Sequence, residues 1–191
     1  MDAKKIISLL KKYWFSIIFY GIIALLIFSP SAKSWILQRV VVTGLLKADI
    51  NKENLQAAGN FSFTDESGKA TSIMDLKGKV VFINFWASWC PPCRAEMPDL
   101  RNLYEKLKDD SRFVFLFMNE DQDRNKAVEY LEKNNFSMPM YFKVENVPPE
   151  IFSGTLPTTV ILNKKGEIVL KHSGMASYNS DGFIKQLHDL L

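Results

Sequence analysis

The chain of 191 residues carries a formal net charge of +3, and 47% of its residues are hydrophobic and 24% charged. These values fit one globular domain with an appendage. The basic residues are spread along the chain, so no nucleic-acid-binding surface is expected. The sequence also contains no glycine-rich phosphate loop, repeat or low-complexity tract.

An uncharged apolar run at residues 13–28 stands near the start of the chain, behind a segment with four lysines. As a helix, this run would extend ~24 Å at ~1.5 Å per residue, somewhat less than the hydrocarbon thickness of ~30 Å. Ser29 and the flanking residues can lengthen the span. We therefore expect residues 1–12 to form a cytoplasmic N-terminus and residues 13–29 a single-pass transmembrane signal anchor in the inner (cytoplasmic) membrane. The rest of the chain would then lie in the periplasm or on the outer face.

Two other interpretations are open for this run: a cleaved signal peptide, or a hydrophobic helix buried in the protein. No clear small-residue cleavage site follows, because Pro30 or Lys33 falls in the candidate windows. The only cysteines are Cys90 and Cys93, which excludes lipid attachment at a lipobox cysteine. Residues 30–58 are predicted to form a juxtamembrane linker with an amphipathic helix, which lies at the membrane surface or packs on the domain.

From residue 59 to residue 191 the pattern alternates strands and helices. It predicts strands at residues 60–64, 80–86, 113–118, 158–162 and 167–171. It predicts helices at residues 93–107, 124–134 and 180–191. The first strand enters a turn at residues 65–68, as in an edge hairpin, and the last two strands form a second hairpin. This order indicates an α/β fold, with a mixed central sheet and helices on both of its faces.

Both cysteines lie in one short motif, Cys90-Pro91-Pro92-Cys93, directly behind the apolar run 80–86. Two prolines suit the first turn of a helix, where the missing amide hydrogens have no intrahelical partner. Cys90 is then at a helix N-terminus, where the helix dipole stabilises a thiolate. Cys93, one turn further on, can close a small disulfide with Cys90. The motif therefore predicts thiol–disulfide exchange.

A structural disulfide and a metal site are the alternatives for this motif. A structural bridge over two residues would constrain the unfolded chain little, because the closed loop is very short. A structural zinc site needs four ligands, and the only imidazoles, His172 and His188, lack finger-like spacing to the cysteines. Met138 and Met140 could serve as soft copper ligands, although methionine more often fills a core.

Residues 85–93, FWASWCPPC, resemble the signature of the thioredoxin superfamily. The continuation at residues 94–98, RAEMP, resembles the TlpA/ResA branch of membrane-anchored bacterial extracytoplasmic reductases. The resemblance covers about residues 60–191 and implies a thioredoxin-like fold that needs no cofactor and no metal. By the same resemblance, Cys90 would attack the substrate disulfide and Cys93 would resolve the mixed disulfide.

A second match to the superfamily lies at Thr155-Leu156-Pro157, which resembles its cis-proline loop. The resemblance implies that the Leu156–Pro157 bond is cis, which X–Pro bonds tolerate far better than other peptide bonds. The backbone of Thr155 and Leu156 would face the disulfide and pair with a substrate peptide. Together with the motif, this loop gives the predicted substrate-binding residues: Trp89, Pro91, Pro92, Thr155, Leu156 and Pro157. The alternative is an ordinary turn proline.

Asn84 stands where cytosolic thioredoxins carry a buried aspartate, and an amide side chain cannot take up a proton. Glu96 matches an acidic residue of the ResA-like branch and lies three residues after Cys93, on the same face of the predicted helix. We therefore predict that Glu96 exchanges the proton of Cys93. Burial and a neighbouring thiolate would raise the pKa of its carboxyl. The alternative is a surface glutamate without a role.

The resemblance implies an extracytoplasmic protein-disulfide reductase. Its electrons would come from a membrane thiol transporter of the DsbD/CcdA kind, and its leading substrate would be a disulfide of apocytochrome c during cytochrome c maturation. One alternative of the same class is a reductant of cysteines in a copper-centre assembly protein. A different class is a copper- or zinc-binding chaperone that uses Cys90, Cys93 and His172.

Overall fold

The computed structural model describes residues 13–24, 29, 34, 36–39, 48, 50, 55–144 and 147–191. Its strands are β1 (Gln56–Ala57), β2 (Ser62–Thr64), β3 (Ala70–Ser72), β4 (Val80–Trp86), β5 (Phe113–Asn119), β6 (Met140–Lys143), β7 (Thr158–Leu162) and β8 (Glu167–Ser173). The α-helices that lie wholly within the described ranges after residue 55 are α1 (Pro91–Leu107), α2 (Arg124–Lys133) and α3 (Asp181–His188). A short 3-10 helix spans Ile73–Leu76. Every strand and helix predicted after residue 59 is present, with ends that differ by a few residues at most.

The strands form one sheet in the order β1-β8-β7-β4-β5-β6-β2-β3. Central strand β4 is buried along its whole length, as its continuous apolar sequence predicts. It pairs parallel with β5 and antiparallel with β7, so the sheet is mixed, as predicted. Parallel neighbours need a crossover, and α1 and α2 provide it for the pairs β4–β5 and β5–β6.

The prediction of helices on both faces of the sheet is wrong for α1, α2 and α3, and among the described residues only the short 3-10 helix packs against the other face. Along β4, alternate side chains enter two separate cores, with Phe82 in one and Ile83 in the other. Except for Ala95, the buried apolar side chains of α1, α2 and α3 belong to the core that contains Phe82. The other core is closed by the β2–β3 hairpin, the 3-10 helix and Ile151. Right-handed crossovers that step the same way, from β4 to β5 to β6, necessarily put both helices on one face.

Strand β3 was predicted only as the second strand of the edge hairpin, without bounds. Two other strands were not predicted. The first, β1, is exposed and pairs with β8, so the sheet begins before residue 59. The other, β6, contains Met140, which is buried in the core near Met138. Neither strand has the alternating apolar pattern on which the sequence prediction depended. The positions of the two methionines support their reading as core residues.

The segment before the sheet is described only in part. Residues 13–24 are helical. Among the described residues, no helix is both long enough and apolar enough to cross a membrane. The predicted cytoplasmic segment 1–12 lies outside the described residues, as does part of the predicted anchor 13–29.

A few described residues of the predicted linker 30–58 contact the domain. Ser34 donates its hydroxyl hydrogen bond to the carbonyl of Pro91 at 3.1 Å. Ala48 is buried in the core that the helices share. The amide of Ile50 donates to the side-chain oxygen of Gln186 in α3 at 3.0 Å. This part of the chain is therefore fastened to the domain at three points, and most of its other residues lie outside the described ranges.

Candidate active site

Cys90 and Cys93 form a disulfide at the start of α1, with a Cα–Cα distance of 5.3 Å. Cys90 is the N-cap residue, and Pro91 and Pro92 occupy the first two helical positions, as predicted. The amide of Cys93 donates a hydrogen bond to Sγ of Cys90 at 3.3 Å. Both cysteines are nearly buried, 3% and 1% exposed respectively. The Cys90 sulfur thus has one amide donor and the positive end of the helix dipole beside it.

The loop that carries the disulfide is held by a carboxylate from the neighbouring strand end. Asp121 accepts hydrogen bonds from the amide of Ser88 at 2.9 Å and from its hydroxyl at 2.8 Å. The side-chain amide of Asn119 donates to the same carboxylate at 2.7 Å. The parallel register pairs Trp86 with Asn119, so β4 and β5 end side by side. The sequence analysis did not identify Asp121, although its position just after a buried parallel strand was a usable signal.

The predicted substrate-binding residues meet at one end of the sheet. The antiparallel register pairs Phe85 with Thr158, which brings the loop before β7 to the end of β4 that leads into the disulfide loop. The Leu156–Pro157 bond is cis, as predicted. Trp89 is 62% exposed. Thr155 is also exposed, Leu156, Pro91 and Pro92 are half-buried, and Pro157 is buried.

Glu96 is completely buried on α1, three residues after Cys93. Its Oε1 accepts a hydrogen bond from the amide of Ala176 at 3.1 Å. Its Oε2 has no hydrogen-bond partner within the described part of the chain. The pKa of the Glu96 carboxyl is raised to about 8, mainly by burial; the hydrogen bond from the Ala176 amide opposes this rise, and the charge of Asp99 adds to it. The prediction of a buried carboxyl with a raised pKa is therefore confirmed.

Other polar side chains surround this carboxyl. Asn84 is fully buried and donates its side-chain amide to Oγ1 of Thr159 at 2.9 Å. Asn84 and Tyr178 lie close enough to Glu96 to lower the pKa of its carboxyl slightly. Burial, together with the charge of Glu96, raises the pKa of the Tyr178 phenol well above its ordinary value. The only group of this cluster that can exchange a proton near neutral pH is thus Glu96.

Asp99 continues the same face of α1 and was not predicted. Its carboxylate accepts hydrogen bonds from the amides of Tyr178 at 2.6 Å and Asn179 at 3.2 Å. Burial raises the pKa of Asp99 despite these hydrogen bonds. Glu96 and Asp99 therefore fasten the segment between β8 and α3 to the redox helix. The spacing of three residues between two acidic side chains could have indicated Asp99, but nothing in the local sequence identified Tyr178.

The described residues offer no ligand set for the alternative of a metal site. Among them, no group of three His, Cys, Asp or Glu side chains is placed to hold a metal ion. His172 lies opposite Thr159 in the β7–β8 register. The ring of His188 packs edge-on against Phe113, with ring centres 5.3 Å apart. The arrangement joins a disulfide, an exposed aromatic side chain and a buried protonatable carboxyl, which suits two-electron exchange between thiols and disulfides.

Comparison with known proteins gives the same result. Residues 53–181 match the model of the Redoxin family. The chain is 33% identical over 120 residues to thiol-disulfide oxidoreductase ResA of Halalkalibacterium halodurans, covering 62% of this chain and 68% of that protein. It is 32% identical over 143 residues to ResA of Bacillus cereus, covering 74% of this chain and 80% of that protein. Its structure is similar to the crystal structure of StoA from Bacillus subtilis, with a TM-score of 0.55 and 25% identity, over 70% of this chain and 97% of that one.

Proposed function

The chain belongs to the redoxin family and is a thiol-disulfide oxidoreductase, and from this premise we propose that it reduces protein disulfides outside the cytoplasm. The observation that carries the proposal is the disulfide at the N-terminus of α1, where Cys90 caps the helix beside an exposed Trp89. Of the two cysteines Cys90 is the more exposed, at 3% against 1%, so it is the one proposed to react with a disulfide of another protein. Neither cysteine needs a cofactor for the exchange.

The proposed reaction moves two electrons from the reduced pair to the substrate. The Cys90 thiolate attacks one sulfur of the substrate disulfide, forms a mixed disulfide and releases the other substrate sulfur as a thiolate. The Cys93 thiolate then attacks Sγ of Cys90, which closes the Cys90–Cys93 disulfide and releases the second substrate thiolate. Both substrate sulfurs are reduced, and both cysteines of this chain are oxidised.

The raised pKa of Glu96 and its place one helical turn beyond Cys93 support a role for this carboxyl in the second step. Cys93 must lose its proton before it attacks, and a buried thiol is otherwise a poor nucleophile near neutral pH. Glu96 lies one helical turn further along α1, and its pKa of about 8 lets it accept a proton near neutrality and release it again. Asn84, at the position of the usual aspartate, cannot do this. We assign Glu96 the role of proton acceptor for Cys93.

A location outside the cytoplasm, with a membrane anchor at residues 13–29, is supported by the helix at residues 13–24. Its large apolar side chains are mostly half or more exposed, for example Phe15 at 74% and Tyr20 at 68%. A helix with apolar side chains on its whole circumference is best accommodated in a bilayer. The lysines that precede it favour the cytoplasmic side for the N-terminus. The redox domain then lies on the opposite side of the membrane.

On that side the dithiol is used up in each turnover and needs an electron donor. By resemblance to the TlpA/ResA branch, we propose a membrane thiol transporter of the DsbD/CcdA kind as donor. By the same resemblance, the proposed substrate is a disulfide of apocytochrome c before haem attachment.

Trapping of mixed disulfides tests the proposal. In full-length Cys93→Ser protein, the mixed disulfide on Cys90 cannot be resolved, so substrate proteins and this chain should accumulate as a covalent pair. Cys90→Ser should trap no substrate and should abolish disulfide reduction. The adducts are separated on non-reducing gels, and their protein components are identified by mass spectrometry. Equal trapping by both variants would contradict the roles assigned to the cysteines, and an absence of adducts with Cys93→Ser would contradict the proposed function.

A further inference from the structure

A groove of about 550 Å³ opens beside the disulfide, between the loop after β4, the first turn of α1 and the length of α2. Ser88, two residues before Cys90, and Arg94, directly after Cys93, line one side of it. Lys126, Glu129 and Lys133 of α2 line the other. The volume is within the range of small-molecule and side-chain binding pockets. The mechanism proposed above assigns no role to this groove.

The groove has a net positive charge. Arg94, Lys126 and Lys133 contribute three cations and Glu129 one carboxylate. Both lysines are exposed, and within the described ranges neither makes an ion pair. Two cationic side chains at i and i+7 of one helix project to the same side of it. The result is a pair of cations on α2 that line the groove together with Arg94.

Arg94 connects the groove to the disulfide. Its backbone amide donates to the carbonyl of Cys90 at 3.0 Å. Its guanidinium carbon lies 5.2 Å from the ring centre of Tyr130, within the range of a cation–π contact. The Tyr130 ring in turn packs against Trp86 at the end of β4, with ring centres 5.9 Å apart. The guanidinium is therefore held by the same elements that hold the motif.

We propose that this groove binds carboxylate side chains of the substrate protein that flank the disulfide attacked by Cys90. The inference rests on the proposed function, because it assigns a binding site to the same reaction. In the mixed disulfide, the substrate backbone must pass over Cys90 and the exposed Trp89. An extended chain advances ~3.3 Å per residue, so residues a few positions from the substrate cysteine reach the groove. Arg94 contributes a positive charge that attracts a carboxylate, and Lys126 and Lys133 add to it.

Acidic disulfide substrates should therefore react faster than neutral ones. The probes are two synthetic peptides, each with one intramolecular disulfide, that carry a run of either glutamates or glutamines next to the second cysteine. Reduced full-length protein is mixed with each peptide, and the second-order rate constant of oxidation is followed by tryptophan fluorescence. We expect the acidic peptide to react roughly three- to tenfold faster, the range that one or two exposed ion pairs supply. Added salt should reduce the difference.

A double variant and its charge-matched control isolate the groove. Lys126→Gln with Lys133→Gln should bring the ratio of the two rate constants close to one and leave the rate for the neutral peptide unchanged. The control is Lys79→Gln with Lys165→Gln, which removes the same charge at the opposite end of the sheet, before β4 and in the β7–β8 turn. This control variant should still react faster with the acidic peptide than with the neutral one. The charge-reversal variant Lys126→Glu with Lys133→Glu should instead react faster with a third peptide, in which lysines replace the glutamates.

The failure of this inference is distinct from a failure of the proposed function. If the protein reduces the neutral peptide but shows no preference for the acidic one, only the groove assignment is overturned. A preference that both double variants lose equally also overturns it, because net charge would then be the cause. If phosphatidylglycerol vesicles bind through Lys126 and Lys133 while the peptides react equally, the groove is a lipid site instead. No reduction of either peptide would overturn the proposed function itself.

Discussion

Replacement of Glu96 tests its role in proton transfer separately from its role in the structure. Glu96→Gln preserves the shape of the side chain and its hydrogen bond from Ala176, but it removes the exchangeable proton. We expect resolution of the mixed disulfide to slow by up to about 100-fold, the lower range of general-base effects. In the wild type the rate should rise towards the pKa of about 8, as the carboxylate becomes available. In the variant this rise should be lost.

The measurement is a stopped-flow profile of mixed-disulfide resolution between about pH 6 and pH 9. Glu132→Gln is a suitable control, because Glu132 is exposed on α2 and distant in sequence from the motif. It should leave the profile unchanged. Superimposable profiles of the wild type and Glu96→Gln would show that the buried carboxyl has no part in the proton transfer.

At the scale of the element, the N-terminus of α1 determines how strongly the Cys90 thiolate is stabilised. N-cap side chains accept hydrogen bonds from the amides of the second and third helical residues. Here the third is Cys93, which donates to Cys90, and the second is Pro92, which has no amide hydrogen. Pro92→Ala should add a donor, lower the pKa of Cys90 and favour the reduced form. We expect the reduction potential to rise by about 30–65 mV, the equivalent of one hydrogen bond to a charged sulfur.

Pro91→Ala is the matched control, because the amide of the first helical residue is not a usual donor to the N-cap. It should shift the potential much less. The reduction potentials of the wild type and the two variants are measured by equilibration with glutathione or dithiothreitol. For the wild type we expect a value nearer the ~−270 mV of thioredoxin than the ~−120 mV of DsbA. A wild-type value above ~−180 mV, the range of protein disulfide isomerase, would contradict the assignment as a reductase.

At the scale of the whole molecule, the buried Glu96 couples stability to pH. Its pKa is about 8 in the folded protein against an ordinary 4.5, so between these values the folded protein holds a proton that the unfolded chain releases. The contribution of Glu96 to the free energy of unfolding should therefore be most favourable at low pH and should fall as the pH rises from about 4.5 to about 8. Glu96→Gln should remove most of this slope and be the more stable protein at about pH 9, by up to roughly 4 kcal/mol.

Urea titrations of the oxidised full-length proteins at several pH values test this expectation. Burial also raises the pKa of Asp99, which should leave a smaller slope of the same sign in the variant. At about pH 4 the Glu96 carboxyl is protonated in the folded state, so the wild type and Glu96→Gln should then differ by less than ~1 kcal/mol. Parallel stability curves across the range would mean that Glu96 ionises freely in the folded protein.

The sequence was informative where a local pattern decides the structure. The apolar run of β4, the prolines before Cys93 and the Leu156–Pro157 bond were all predicted and are present. Strand β6 was missed because its pairing with β5 and β2 depends on distant residues. The placement of the helices on one face follows from the direction in which successive crossovers step. Glu96 could be found from its spacing to Cys93, whereas Tyr178 joins the site only through the folding of a remote segment.

The hydrogen bond from Ser34 to Pro91 limits the distance between the disulfide and the proposed membrane anchor. The anchor proposed for residues 13–29 ends only five residues before this contact. Five residues span at most roughly 17 Å, even when fully extended. The reactive sulfurs would thus work in a thin layer at the membrane surface. A donor or substrate embedded in the same bilayer would meet them at a high effective concentration, whereas a freely diffusing protein would have to come to the membrane to be reduced.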